Sequence, residues 1–194
     1  MKKKTTATLT AAGIFTALVV LAQLVSGLIR IGSLTVTFAL LPIIVGAALY
    51  GRKMGAWLGF VLALVILLDG GTAPFYAINW YLTVILVVAK TTVAGYVAGL
   101  IYPLLAKKNE ILAAVVTGTL VPVINTGIFL VFCLVAFRSL IPSEASGFRL
   151  IADAILLYCG GNFLVEVLVN LTLSTVVIRV VRVVRRSRRI VGEK

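Results

Sequence analysis

Long apolar runs, joined by basic residues at alternate junctions, constrain this chain more than any other feature of its sequence. A bilayer-spanning helix needs about 20 predominantly apolar residues. Runs of roughly that kind recur at about 7–29, 35–50, 54–68, 78–105, 111–137 and 150–184. The second and third are short, so either could be tilted or broken. Hydrophobic residues make up 61% of the chain and charged residues 12%, whereas soluble domains carry about 25% charged residues. In water such a chain would expose far more apolar surface than a soluble monomer tolerates. Its expected solvent is a lipid bilayer. The start, Met1-Lys2-Lys3-Lys4 before an apolar run, has the form of a secretory signal, with Val20-Leu21-Ala22 as a passable cleavage site. The run exceeds the usual signal core of about 7–15 residues, however, and further runs follow. A first membrane helix is therefore expected.

The charges test the count. With the N-terminus in the cytoplasm, the inner junctions collect Lys2, Lys3, Lys4, Arg52, Lys53, Lys107, Lys108 and the arginines from Arg179 to Arg189. The outer junctions hold only Arg30, Arg138 and Arg149. Positive residues concentrate on the cytoplasmic side of membrane proteins, and every junction obeys that rule. The expectation is one all-α domain over residues 1–194, with six transmembrane helices, both termini cytoplasmic and a short basic tail at about 185–194. The formal net charge of +12 then belongs to an anionic lipid surface, and nucleic acid is not an expected partner.

Several chemistries drop out. Histidine is absent, which removes the commonest general base and metal ligand. Cys133 and Cys159 sit singly in apolar runs without metal-type spacing, so no metal site is expected. No GxxxxGK[ST] phosphate loop occurs, so nucleotide hydrolysis would have to come from a partner. A rhomboid-type protease needs a Ser–His pair. An aspartyl-type membrane protease needs paired aspartates, and Asp69 and Asp153 both fall near expected outer helix ends. The chain is not expected to be an enzyme or to need a cofactor.

Ionisable residues within membrane helices cost roughly 2.5–3.5 kcal/mol on insertion scales and usually face the bundle interior. Two stand out, Lys90 and Glu166. At about 1.5 Å per residue both lie near mid-bilayer. They can pair with each other, or one or both can face a ligand. Glu166 belongs to a polar stripe of Tyr158, Asn162, Glu166, Asn170 and Ser174. Steps of four drift by about 40° around a helix, so the stripe keeps to one face. Helix packing or a polar ligand would each account for it. The upper members are the better ligand candidates and the lower two the more structural. In the fifth helix, Pro122 frees a backbone carbonyl near Gly118, with Asn125 and Thr126 on the next turn. The stretch from Asp69 to Asn79 mixes glycines with Phe75 and Tyr76, and Trp80 and Tyr81 follow. It reads as an interfacial aromatic belt or as a lid over a ligand. Small residues pair at Ala7 with Ala11 and at Gly13 with Ala17, a spacing that permits close helix approach.

In this order the local features resemble the substrate-binding S component of an energy-coupling factor (ECF) vitamin transporter. The resemblance spans essentially the whole chain. It rests on Gly13-Ile-Phe-Thr-Ala17 in the first helix and Phe38-Ala-Leu-Leu-Pro42-Ile-Ile-Val-Gly46 in the second. Gly55-Ala-Trp-Leu-Gly59, Lys90-Thr-Thr-Val-Ala94-Gly95-Tyr-Val-Ala98-Gly99 and Gly161-Asn162-Phe-Leu-Val-Glu166 continue it. The resemblance implies a vitamin bound near the outer side and no catalytic residues. It also implies a multi-pass protein of the bacterial cell membrane that docks on a transmembrane T protein driven by two ATPase subunits. Substrate contacts are expected from Lys90, Asn125, Tyr158, Asn162, Glu166, Tyr76 and Trp80. Docking contacts are expected from Gly13, Ala17 and Ala11, where the family usually has alanine at the position of Gly13. Lys90 suits an anionic vitamin and Glu166 equally allows a cationic or amine-bearing one, with pantothenate first in order and riboflavin next. A membrane assembly subunit without a ligand is the alternative, and an intramembrane enzyme comes after it.

Overall fold

The computed structural model describes residues 2–28, 30–31, 34–35, 37–137, 147–154 and 160–190. They form helices α1 (Lys2–Leu28), α2 (Leu40–Tyr50), α3 (Arg52–Leu68), α4 (Ala73–Ile78), α5 (Trp80–Ala106), α6 (Glu110–Val135), α7 (Phe148–Ala154) and α8 (Gly160–Ile190). Two short strands, β1 (Arg30–Ile31) and β2 (Leu34–Thr35), pair antiparallel. All-helical architecture is thus as expected. Among the described residues, four helices hold stretches long and apolar enough to cross a membrane: Thr6–Leu28, Trp80–Ala106, Glu110–Val135 and Val167–Ser187. At 11 residues α2 is too short, reaching about 16 Å against a hydrocarbon core of about 30 Å. With 17 residues, α3 reaches about 26 Å.

One boundary differs from expectation. The second helix begins at Leu40, not near Thr35, which lies in β2. β-branched Thr35 favours extended backbone, and it pairs with Arg30 of β1. Of the expected sixth helix, about 150–184, the described parts fall in α7 and α8, and residues 155–159 lie outside the described residues.

Between α2 and α3 the chain reverses over the single residue Gly51. Its φ of +83° is a conformation that L side chains rarely adopt. The Gly51 N–H closes α2 by donating to the Ala47 carbonyl at 2.8 Å, and the Gly51 carbonyl accepts from Gly55 at 3.1 Å to open α3. On other turns the caps are side chains. Asn79 Oδ1 accepts from the Leu82 N–H at the start of α5. Asn109 Oδ1 accepts from Ile111 and Leu112 at the start of α6. Both satisfy first-turn donors that a helix cannot satisfy itself. Pro103 and Pro122 sit inside α5 and α6, which continue through them.

α3 and α5 pack most extensively. They run antiparallel with their backbones in direct contact. A Cβ added at Gly55 would strike the Gly95 carbonyl, and one at Gly59 would strike the Thr91 carbonyl. A Cβ at Gly99 would strike the backbone of Gly51 and Arg52. Leu40, Ile43, Ile44, Leu58, Leu62, Leu86, Val121, Val177 and Val181 fill the interior around this crossing. α6 and α8 meet at Gly118, whose added Cβ would lie 3.3 Å from the Asn170 carbonyl. Asn170 and Ser174 are buried there.

α1 lies against α3 and α2 and runs parallel to α3. The Trp57 Nε1 donates to Thr16 Oγ1 at 3.1 Å, and Gln23 Nε2 donates to Asp69 Oδ2 at 3.1 Å. Contacts thus gather Arg52, Lys53, Lys107, Lys108, Arg182 and Arg185 at one end of the bundle. Asp69, Phe75 and Phe137 lie at the other.

The backbone contact fixes an expected outcome. Gly55→Ala or Gly95→Ala should destabilise the protein by about 1–3 kcal/mol or more, the usual cost of overpacking. Gly13→Ala, where an added Cβ meets nothing within 4 Å, should be neutral or gain up to about 1 kcal/mol in helix propensity. Thermal unfolding of the three variants in detergent checks both statements.

Candidate functional site

Lys90 and the aromatic segment after α3 converge on α6. The Lys90 ammonium lies 5.2 Å from the centroid of the Phe129 ring. A cation over an aromatic face gains about 2 kcal/mol when desolvated, which offsets part of the cost of placing an ammonium within a membrane helix. Phe129 meets Phe75 of α4 edge to face at 5.6 Å, and Phe75 meets Phe137 in the same manner at 5.2 Å. Phe137 is fully buried. Phe75 thus closes over the ring that covers Lys90.

Local sequence positions that closure. Asp69 ends α3, and its Oδ1 accepts from the Gly71 N–H at 2.9 Å. Gly70 turns the chain with φ +77°, and Pro74 falls in the first turn of α4, where its fixed φ suits a helix start. Tyr76 is half-buried, and its hydroxyl donates to the Leu67 carbonyl at 3.3 Å. Trp80 is 55% exposed and stacks on the equally outward Tyr81 at 3.5 Å. Of the aromatic residues in this stretch, Phe75 faces inward while Trp80 and Tyr81 face outward.

One helical turn from Phe129, and on the same side of α6, stands Asn125. Its Oδ1 is buried and has no hydrogen-bond partner. An unsatisfied buried amide oxygen costs about 1–3 kcal/mol, so a group bearing an N–H or O–H is favoured beside it. Lys90 lies ten residues into α5 from Trp80, or about 15 Å along its axis. That distance equals half the thickness of a hydrocarbon core of about 30 Å. Tyr158 lies outside the described residues. Asn162 and Glu166 fall on the first turns of α8, with their side chains outside the described residues.

The small residues of α1 separate into two faces. Gly13 and Ala17 are exposed, one turn apart. Ala11 is 8% exposed and packs on the inward side of the helix. Flanking the outward pair are the exposed Leu9, Ile14, Leu18, Leu21 and Leu24.

Phe129 and Phe137 are the site residues that sequence reasoning missed. Phe129 had a usable signal, since it lies four residues after Asn125 and therefore on its face. Among the described residues no group of His, Cys, Asp and Glu could hold a metal ion.

Compared with known families, residues 7–181 match the family described as ECF transporter, substrate-specific component. No curated protein matches the chain.

Two edge-to-face ring pairs hold α4 down, each worth about 0.5–1.5 kcal/mol beyond burial. Phe75→Ala should therefore raise amide hydrogen exchange across residues 70–79 by about tenfold or more. Exchange in the middle of α3 should stay as it is. Mass-spectrometric exchange on the detergent-solubilised protein measures both.

Proposed function

We propose, from the premise that the chain belongs to the family of ECF transporter substrate-specific components, that it captures a B-type vitamin for an ECF-type importer. The observation that carries this reading is the Lys90 ammonium over the Phe129 ring, which Phe75 meets edge to face, with the buried Asn125 oxygen on α6 one turn from Phe129. A hydroxyl or amide donor of a vitamin satisfies the Asn125 oxygen, and a carboxylate on the same ligand suits the positive charge of Lys90. Pantothenate has that chemistry and is preferred, with riboflavin next. Tyr76 borders the site, and Tyr158, Asn162 and Glu166 are the further ligand contacts that the polar stripe in the sequence suggests. Trp80 serves it less directly, from the membrane interface, where aromatic residues anchor helices.

The protein sits as a multi-pass protein in the bacterial cell membrane with both termini in the cytoplasm. Capture is from the outer side, beneath α4. Gly13 and Ala17 give a transmembrane T protein a flat face on which to seat a helix, while Ala11 serves internal packing. Two ATPase subunits supply the energy, since this chain has no phosphate-binding loop.

Pantothenate should raise the melting temperature of the purified chain, and Lys90→Met should weaken that binding by about tenfold or more, as expected for a lost charge-assisted hydrogen bond. If riboflavin is the ligand, Lys90→Met should matter little. Failure of every B vitamin to shift the melting point would leave the ligand-free assembly subunit as the surviving reading. Independently, Gly13→Leu or Ala17→Trp should abolish co-purification with the T protein and ATPases while vitamin binding persists. Loss of vitamin binding in these variants would instead assign the two residues to the fold.

A further inference from the structure

At the basic end of the bundle, Glu110 holds two arginines of α8. Arg182 Nε donates to Glu110 Oε2 at 2.7 Å, and Arg185 Nη1 donates to Glu110 Oε1 at 3.3 Å. Arg182 and Arg185 are three residues apart and share a helix face. Glu110 stands at the first position of α6, after the exposed Lys107 and Lys108 and the capping Asn109. One N–H of each guanidinium is thereby used. The remaining donors meet no protein acceptor among the described residues. The two side chains stay 58% and 41% exposed.

Position matters as much as charge. The apolar stretches that end here are Glu110–Val135 and Val167–Ser187, so the clamp stands where the apolar stretches give way to polar ends. That is the level of lipid phosphates. A guanidinium presents a planar fork that matches phosphate oxygens two at a time, which an ammonium cannot do. Pinning by Glu110 removes much of the rotamer freedom that binding would otherwise cost. Exposed Lys107, Lys108 and Arg186 leave the surroundings positive despite the carboxylate.

We propose that Arg182 and Arg185, held by Glu110, form a site for the phosphate of an anionic phospholipid headgroup. This goes beyond the general attraction of basic tails to anionic membranes, because it assigns binding to a fixed pair of forks. It does not depend on which vitamin the protein takes, or on whether it takes one.

The full chain, purified in detergent, would be titrated with phosphatidylglycerol, phosphatidylcholine and inorganic phosphate. Melting temperature and lipid retained in native mass spectrometry are the readouts. Phosphatidylglycerol should stabilise and be retained, phosphatidylcholine should not, and phosphate should have little effect. The Arg182→Lys/Arg185→Lys double variant keeps the charge and loses the forks. Its apparent affinity for phosphatidylglycerol should fall by about fivefold or more, while Arg179→Lys, outside the clamp, should leave it unchanged. Glu110→Ala makes the site more positive, yet it too should weaken retention, because the arginines are no longer pinned. Retention equal to or above the parent in the double lysine variant would overturn the proposal in favour of diffuse charge attraction. That variant decides the matter even if Glu110→Ala fails to fold. Equal protection by inorganic phosphate would overturn the lipid assignment in favour of a soluble anion.

Discussion

The backbone contact between α3 and α5 governs the rest of the structure. In a bilayer there is no hydrophobic drive to bring two apolar helices together, since lipid tails are as apolar as leucine. Association then depends on how many atoms come within van der Waals range and on the polar groups that meet. Glycines at 51, 55 and 59 on one side face Thr91, Gly95 and Gly99 on the other, in antiparallel register. Each step of four keeps the small residues on one helix stripe. The result fixes α5 against the α2–α3 hairpin over much of the length of α3. Because α5 carries Lys90 and passes into α6 through a tight turn at residues 107–109, that crossing also sets where the ammonium meets Phe129.

Much of this was legible in the sequence, for a physical reason. In helices that are apolar nearly all round, hydrophobic periodicity carries little information about facing. Only the rare polar or very small residue tells one side from another. Lys90, Asn125 and the Asn170–Ser174 pair could therefore be placed from the sequence. Asn170 and Ser174 are buried at the α6–α8 contact, consistent with the structural part expected of them. Phe75 could not be told apart from Trp80 and Tyr81, because an aromatic ring suits a core and an interface equally well. The glycine stripe was visible in the letters, but its partner had to be found by folding. Boundaries were weakest where local propensity opposed the apolar run, as at Thr35. The second helix, expected to be short, is shorter still at 11 residues, with the composition of a spanning helix and not its length.

The two ends of the bundle are tied differently, and that difference has mechanical meaning. At the basic end a carboxylate holds two arginines of α8, and the glycine-lined crossing reaches the α2–α3 turn at Gly51. At the opposite end, among the described residues, α1 is joined to the end of α3 by Gln23 and Asp69, and α4 is held by ring edges and the Tyr76 hydroxyl. An exposed hydrogen bond is worth only about 1 kcal/mol net, and a pair of ring edges about as much again. Backbone-to-backbone glycine packing has no comparable low-cost way to open, because moving one helix loses contacts along the whole stripe. Local opening should therefore begin at α4, the least tethered element near Lys90. Asp69 links that element to α1, since one of its oxygens takes the Gln23 amide and the other takes the Gly71 N–H that leads into α4. The same carboxylate thus stands between α1 and the segment that carries Phe75 to the Phe129 ring.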